Sequence, residues 1–209
     1  MKYDSITNII VLGESYVGKT LFINNYINNK TKIDNTAPTI GVDYYKKTFH
    51  YQDNTYLFKL WDTGNGLLYK NILEFYLRNS SIFIILTTEH NINFIKKIFD
   101  LIYTDNQICP TNILIIYNKK SNDDCFKFDE SSILNYCPSI HNIYFHYINV
   151  MNNEDTHNVF NQIKFLIFTE FNKQSNTKSH KNLIPLNTKS PSKKRDKDKE
   201  YCNSCCTIC

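Results

Sequence analysis

Residues 13–20 read Gly13-Glu14-Ser15-Tyr16-Val17-Gly18-Lys19-Thr20. They follow a short apolar run, Ile9-Ile10-Val11-Leu12, and lead into a helical pattern, Leu21-Phe22 then Tyr26-Ile27. Strand, glycine loop and helix in that order are the context in which GxxxxGK[ST] spacing points to phosphate binding. Gly13 and Gly18 let the backbone turn so that successive N–H groups, from Glu14 through Ser15, Tyr16 and Val17, converge on one concave spot. The N-terminus of the following helix adds the positive end of its dipole. Lys19 brings a full positive charge to the outer phosphates, and Thr20 offers a hydroxyl to Mg²⁺.

Outward from this loop, residues up to about 172 alternate strand and helix patterns, which predicts an α/β fold with a mostly parallel sheet. Strands are predicted at Asn8–Leu12, Tyr44–Tyr51, Thr55–Trp61, Ser81–Thr87, Asn112–Asn118 and Ile143–Val150. The Tyr51-Gln52-Asp53-Asn54-Thr55 turn predicts a hairpin and hence one antiparallel strand. Helices are predicted at Lys19–Asn28, Tyr69–Arg78, Asn93–Asn106, Glu130–Tyr136 and Asp155–Phe171, the last with an apolar stripe that includes Val159 and Phe160. From Lys173 the pattern stops, and Ser, Asn, Thr, Lys and Pro dominate; residues 173–209 read as a disordered tail after a domain of residues 1–172.

A nucleoside triphosphate site needs further elements. The Thr55–Trp61 strand delivers Asp62-Thr63-Gly64, and an acid at a strand's C-terminal end can hold Mg²⁺ directly or through water. A polar stretch before it ends in Pro38-Thr39-Ile40-Gly41-Val42-Asp43. With these residues in view the chain resembles a Ras-superfamily small GTPase and, within it, the Rab family. The glycine loop, Pro38 to Asp43 and Trp61-Asp62-Thr63 match in order and spacing. The resemblance implies the small-GTPase fold, a six-stranded sheet with about five helices, and binding of GTP or GDP with Mg²⁺. It implies that Thr39 completes the Mg²⁺ shell with Thr20 and Asp62 and reports the γ-phosphate. It also implies an effector surface of Ile40, Gly41, Val42, Asp43 and the aromatic triad Tyr44, Trp61 and Tyr76, in which tyrosine replaces the usual phenylalanine at Tyr44. Effectors, an exchange factor, an activating protein and a prenyl-binding escort are the partners it implies.

Three departures from that pattern bear on chemistry. The family reads Asp-Thr-Ala-Gly-Gln-Glu where this chain reads Asp62-Thr63-Gly64-Asn65-Gly66-Leu67. Gly66 therefore stands at the position of the water-orienting glutamine, so no catalytic side chain is assigned and GTP hydrolysis is predicted to be slow. Asn118-Lys119-Lys120-Ser121 stands where the family has Asn-Lys-x-Asp. Asn118 and Lys119 can brace the loop and cover the base, but Ser121 lacks the paired carboxylate oxygens that accept from guanine's N1–H and N2–H. Asn149-Val150-Met151 aligns with the family's Ser-Ala-Lys: the Val150 N–H can meet a purine O6, and Met151 packs on the base without a charge. A non-hydrolysing, Rab-shaped adaptor is the alternative these departures raise. A P-loop kinase or ATPase is a third class, but it needs extra arginines near the phosphates, and the whole chain has only Arg78 and Arg195.

Charge is uneven. From Lys173 onward nine Lys or Arg face three Asp or Glu, leaving the remainder slightly acidic, although the whole chain is at +4. A basic tail suits an anionic membrane surface, and nucleic acid is not an expected partner. Four of the seven cysteines crowd the end, at Cys202, Cys205, Cys206 and Cys209. Cys205-Cys206 resembles a Rab double-prenylation end; Cys206-Thr207-Ile208-Cys209 also fits a C-a-a-X box, and a metal-binding pair of CxxC units is the other reading. No signal peptide or membrane span is legible, so the expected location is cytoplasmic, peripheral on the cytosolic face of an intracellular membrane through the lipid anchor.

Overall fold

The computed structural model describes residues 2–31, 38–64, 70–88, 92–119, 127–136, 138, 140 and 142–180. The elements run β1 (Ser5–Leu12), α1 (Lys19–Asn28), β2 (Val42–Tyr51), β3 (Asn54–Thr63), α2 (Lys70–Arg78), β4 (Ile82–Thr87), α3 (Ile92–Thr104), β5 (Asn112–Asn118), α4 (Glu130–Tyr136), β6 (Ile143–Ile148) and α5 (Asn153–His180). The chain divides into two units, residues 1–161 and 162–209. The first holds the sheet; in the second, the described residues, 162–180, are helical.

The sheet is six-stranded in the order β2-β3-β1-β4-β5-β6. Every pair is parallel except β2–β3, an antiparallel hairpin whose register closes at Tyr51↔Asn54 with Gln52 at φ 51° in the turn. The predicted fold class, strand number and antiparallel strand are all present. Central strands are continuous apolar runs because both faces are covered: every residue of β4, Ile82-Phe83-Ile84-Ile85-Leu86-Thr87, is buried. The edge strand β2 has no buried residue, as a strand with one open side should.

Alternation divides each strand between two cores. Ile10, Leu12, Phe83, Ile85, Ile113 and Ile115 face Leu73 and Leu77 of α2 and Ile95, Ile98 and Phe99 of α3. On the other face Phe160, wholly buried, stacks on Tyr26 at 3.6 Å between ring centroids and on Phe22 at 5.2 Å. This stack fastens the start of α5 to α1, the helix that carries Thr20. Phe160→Ala should therefore destabilise the protein by about 3–5 kcal/mol, read as a fall in the urea midpoint.

Helix α1 ends at Asn29, whose left-handed φ of 53° lets its N–H reach Asn25 O at 2.9 Å. The Lys47 ammonium from β2 donates to Ile27 O at 2.9 Å and so occupies a carbonyl the helix leaves over. Helix α5 runs on to His180, where the polar composition predicted an end at Phe171. No proline or glycine lies between Phe171 and His180 to stop it. No helix among the described residues is long and apolar enough to cross a membrane. The tail cysteines Cys205 and Cys206 lie outside the described residues.

Candidate nucleotide-binding site

The site gathers at the C-terminal ends of β1, β3 and β5 and the N-terminus of α1, the edge where parallel α/β sheets hold ligands. Gly13 leaves β1 at φ 156°, and a Cβ there would stand 2.4 Å from Leu86 O; β4 runs too close behind the loop for any side chain. Gly18 starts α1 from a left-handed φ of 98°, with Asn118 Nδ2 only 3.0 Å from where a Cβ would be. Between them Tyr16 holds φ 63° and is 80 % exposed. A tyrosine in that backbone conformation is uncommon, and the loop shape requires it. Ser15 is also exposed, whereas Val17 is buried and anchors the loop.

Lys19 is buried, and its ammonium donates to Gly13 O at 3.0 Å and Glu14 O at 2.6 Å. Burial lowers its pKa from 10.5 to about 8, although Asp62 and Glu14 pull it back up. The cation is held at the loop's mouth by backbone dipoles.

Thr20, Thr39 and Asp62 come together. The Thr20 hydroxyl donates to Asp62 Oδ2 at 2.5 Å, and Thr20 Oγ1 and Thr39 Oγ1 are 3.1 Å apart. Asp62 is wholly buried, and its Oδ1 has no hydrogen-bond partner among the described residues. Burial raises its pKa to about 6, against the lowering effects of Thr20 and Lys19. Two hydroxyls and a carboxylate with a spare oxygen form a hard-oxygen donor set, which fits a small divalent cation. Thr63 fixes the end of β3 by donating its hydroxyl to Val11 O at 2.8 Å.

On the base side, Asn118 joins two loops. Its Nδ2 donates to Val17 O at 3.0 Å, and its Oδ1 accepts the Val150 N–H at 3.1 Å. Asn118 thus ties the glycine loop to the Val150 segment; the Val150 N–H, predicted to meet a purine O6, is donated to Asn118. The Lys119 N–H donates to Ile148 O at 2.6 Å. Asn149 receives support from Asp155, whose Oδ2 accepts its N–H at 2.9 Å, and the Met151 N–H donates to Asn149 Oδ1 at 2.9 Å. Met151 is 51 % exposed. Ser121, Asn65 and Gly66 lie outside the described residues.

The aromatic strip is continuous. Tyr44 and Trp61 are cross-strand partners with centroids 4.7 Å apart, and Trp61 meets Tyr76 of α2 at 4.8 Å. Ile40 beside them is 84 % exposed, and Asp43 is exposed as well. Gly41 adopts φ 79°, and Val42 is half-buried.

Three contributors escaped sequence reasoning. Asn25 is buried on α1 and donates to Val150 O at 2.8 Å, coupling the phosphate helix to the base loop. Asp155 supports Asn149, and Gly64 admits the Thr39 backbone. Asp155 in the first turn of α5 carried a capping signal. Asn25 and Gly64 carried none, because their roles depend on what packs against them.

A loop that can ring a phosphate chain, an acid and two hydroxyls beside it, and an Asn-Lys turn at the end of β5 place this domain among the Ras-like GTP-binding proteins of the P-loop class. The family model described as Ras of Complex, Roc, domain of DAPkinase matches residues 8–121, just over half of the chain, and the chain belongs to that family. Guanine nucleotide binding follows from that membership.

Proposed function

We propose that the protein is a Rab-like switch of vesicle traffic that binds GTP or GDP with Mg²⁺ and sits on a membrane through a prenylated tail. The observation that supports it most is the meeting of Thr20, Thr39 and Asp62, with Asp62 Oδ1 left over. Those residues would hold the cation, which when bound supplies charge to the β- and γ-phosphates. The chain's own groups do the rest. The loop N–H groups and Lys19 bind the phosphates, Asn118 holds the loop against the base segment, and Thr39 carries the state of the site to the surface at Ile40, Tyr44, Trp61 and Tyr76. Tyr44 is exposed and Trp61 and Tyr76 are half-buried, and partly open aromatics are suited to anchoring a protein partner. The Rab-type order of motifs and the Cys205-Cys206 ending support vesicle traffic and lipid attachment.

The direct test is calorimetry of the full-length chain with GTP and with GDP in excess Mg²⁺. Micromolar or tighter affinity is expected, and no heat with either nucleotide would sink the proposal. Intact-mass spectrometry of protein from a eukaryotic host should show two isoprenoid additions that Cys205→Ser with Cys206→Ser removes. A second reading, a binding-only adaptor, is favoured by Gly66: single-turnover hydrolysis far below that of glutamine-bearing relatives is expected under either reading. Adaptor function would in addition leave partner binding indifferent to nucleotide.

Base preference gives a sharper prediction. The guanine 2-amino group needs a carboxylate acceptor, and Ser121 stands at that position. ITP, which lacks this amino group, should compete within about threefold of GTP, whereas an intact charge-assisted contact is worth ~1.5–3 kcal/mol, or about one to two decades. A hundredfold preference for GTP over ITP in a fluorescent-nucleotide competition would reject this assignment.

A further inference from the structure

We infer that Lys46 and Lys59 select the partner of the aromatic strip: a protein helix that carries an Asp or Glu one turn from a large apolar anchor. The inference rests on the effector surface of the switch proposed above and names the chemistry of its partner. Lys46 and Lys59 are register partners across the β2–β3 hairpin, two residues along from the pair Tyr44↔Trp61. Side chains two apart on a strand share a face, so both pairs lie on the same side of the sheet. Lys46 is exposed and Lys59 is half-buried. Among the described residues neither forms an ion pair with an acid. Cations directly opposed across two strands repel, with their Cβ atoms about 5 Å apart.

Lys47 provides the contrast. It lies on the other face, where its ammonium donates to Ile27 O at 2.9 Å and stands 5.7 Å from the centre of the Tyr26 ring. That lysine is used by the fold. The Lys46–Lys59 pair destabilises the hairpin, and no acid among the described residues offsets it. A local rule broken beside a binding surface marks residues kept for something outside the chain.

Spacing and charge together define what fits. Along the strands the step from the aromatic pair to the lysine pair is about 7 Å. On a helix, residues three or four apart lie about 5–6 Å from one another on one face. An apolar side chain seated on the strip therefore brings an acid one turn away over the lysines. The chain's own tail does not suit this place, since nine Lys or Arg stand there against three Asp or Glu. A second copy docked by the same face about a twofold axis sets lysines against lysines. A lone pair of lysines also falls short of the clusters of about four to eight basic residues that mark lipid recognition.

Selection from a phage library of random peptides tests this, on the full-length chain loaded with the slowly hydrolysed analogue GTPγS and Mg²⁺. Tyr44→Ala protein in excess in solution draws off every peptide that does not need the strip. The peptides kept should be net acidic, with Asp or Glu three or four places from a large apolar residue. Their affinity for Lys46→Glu with Lys59→Glu should fall at least about tenfold, and for Lys96→Glu with Lys97→Glu, a control of equal charge on α3, by less than about threefold. Lys46→Glu alone sets opposite charges across the hairpin. It should melt higher than wild type yet bind these peptides at least about threefold more weakly, which loss of fold cannot produce, and it decides alone if the double variant does not fold. Strip-dependent peptides that are neutral or basic, or that bind the double variant as tightly as wild type, overturn the inference and leave the effector surface standing. Finding no strip-dependent peptide overturns both. Loss in the double variant, but not in the control, of binding to phosphatidylserine vesicles or of self-association assigns the pair to lipid or to a second copy and also overturns the inference. Should GTPγS not bind, the proposed switch fails, and the same selection on the nucleotide-free chain decides the role of the lysines.

Discussion

Lys19→Ala is expected to remove measurable affinity for GTP and GDP while making the nucleotide-free protein harder to unfold. The ammonium donates to two backbone carbonyls at the loop's mouth, and a bound phosphate chain would take up those hydrogens. Two charge-assisted bonds at ~1.5–3 kcal/mol each amount to about two to four decades of affinity. The stability effect has the opposite sign. Lys19 has a pKa of about 8 in the folded protein against 10.5 for the free side chain, so the unfolded chain binds more protons between those values. Stability of the nucleotide-free protein should therefore rise with pH through roughly 8 to 10.5, by at most ~3 kcal/mol. Below pH 8 the whole cost of the buried cation remains, and alanine removes it. Part of the gain is lost because Asp62 then lacks its neighbouring cation. Thermal melts of both proteins from pH 7 to 10 check the claim: the slope should flatten in the variant, and a variant that melts lower throughout would contradict the account.

Asp62→Asn should separate stability from ligand binding in the same manner. The amide keeps an oxygen for the Thr20 hydroxyl but loses the charge a cation needs. We expect the gain in nucleotide affinity from Mg²⁺, compared with EDTA, to shrink at least about tenfold. Asp62 titrates near 6 when folded against 3.8 for the free side chain, so between those values the folded state binds more protons. Nucleotide-free stability should consequently fall as pH rises from about 4 to 6 and stay low above it, by at most ~3 kcal/mol. The asparagine variant should lack that fall and melt higher than wild type at pH 7 in EDTA. Equal Mg²⁺ dependence in the two proteins would remove Asp62 from the cation site.

Much of this was legible because the governing constraints are local. The glycine loop announces itself through spacing, since only Gly13 escapes collision with Leu86 O and only a left-handed residue starts α1 at position 18. The predicted ranges of α1, β5 and α4 coincide with the observed ones, because glycine, apolar runs and Asp129-Glu130 punctuate them. Strand β3 extends two residues past its predicted end at Trp61, since Asp62 and Thr63 are polar yet buried by tertiary partners. Helix α5 runs past its predicted end at Phe171 because polar residues alone do not end a helix, whereas a breaker does. The cation cluster was readable as a set of residues, but the spare oxygen of Asp62 and the shared bonds of Asn118 are properties of packing. Asn25 and Gly64 show the limit: one is an ordinary helix residue and the other an ordinary turn residue until a neighbouring segment is placed against them.

The stacked strip on β2, β3 and α2 holds the chain's single tryptophan, Trp61, between two tyrosines within 5 Å of its ring centre. The molecule therefore carries its own optical reporter. Light absorbed by Tyr44 or Tyr76 can pass to the indole, whose emission shifts with the polarity of its surroundings. Any protein that covers this strip changes that emission, so docking can be titrated on the unlabelled chain, and no other indole contributes background.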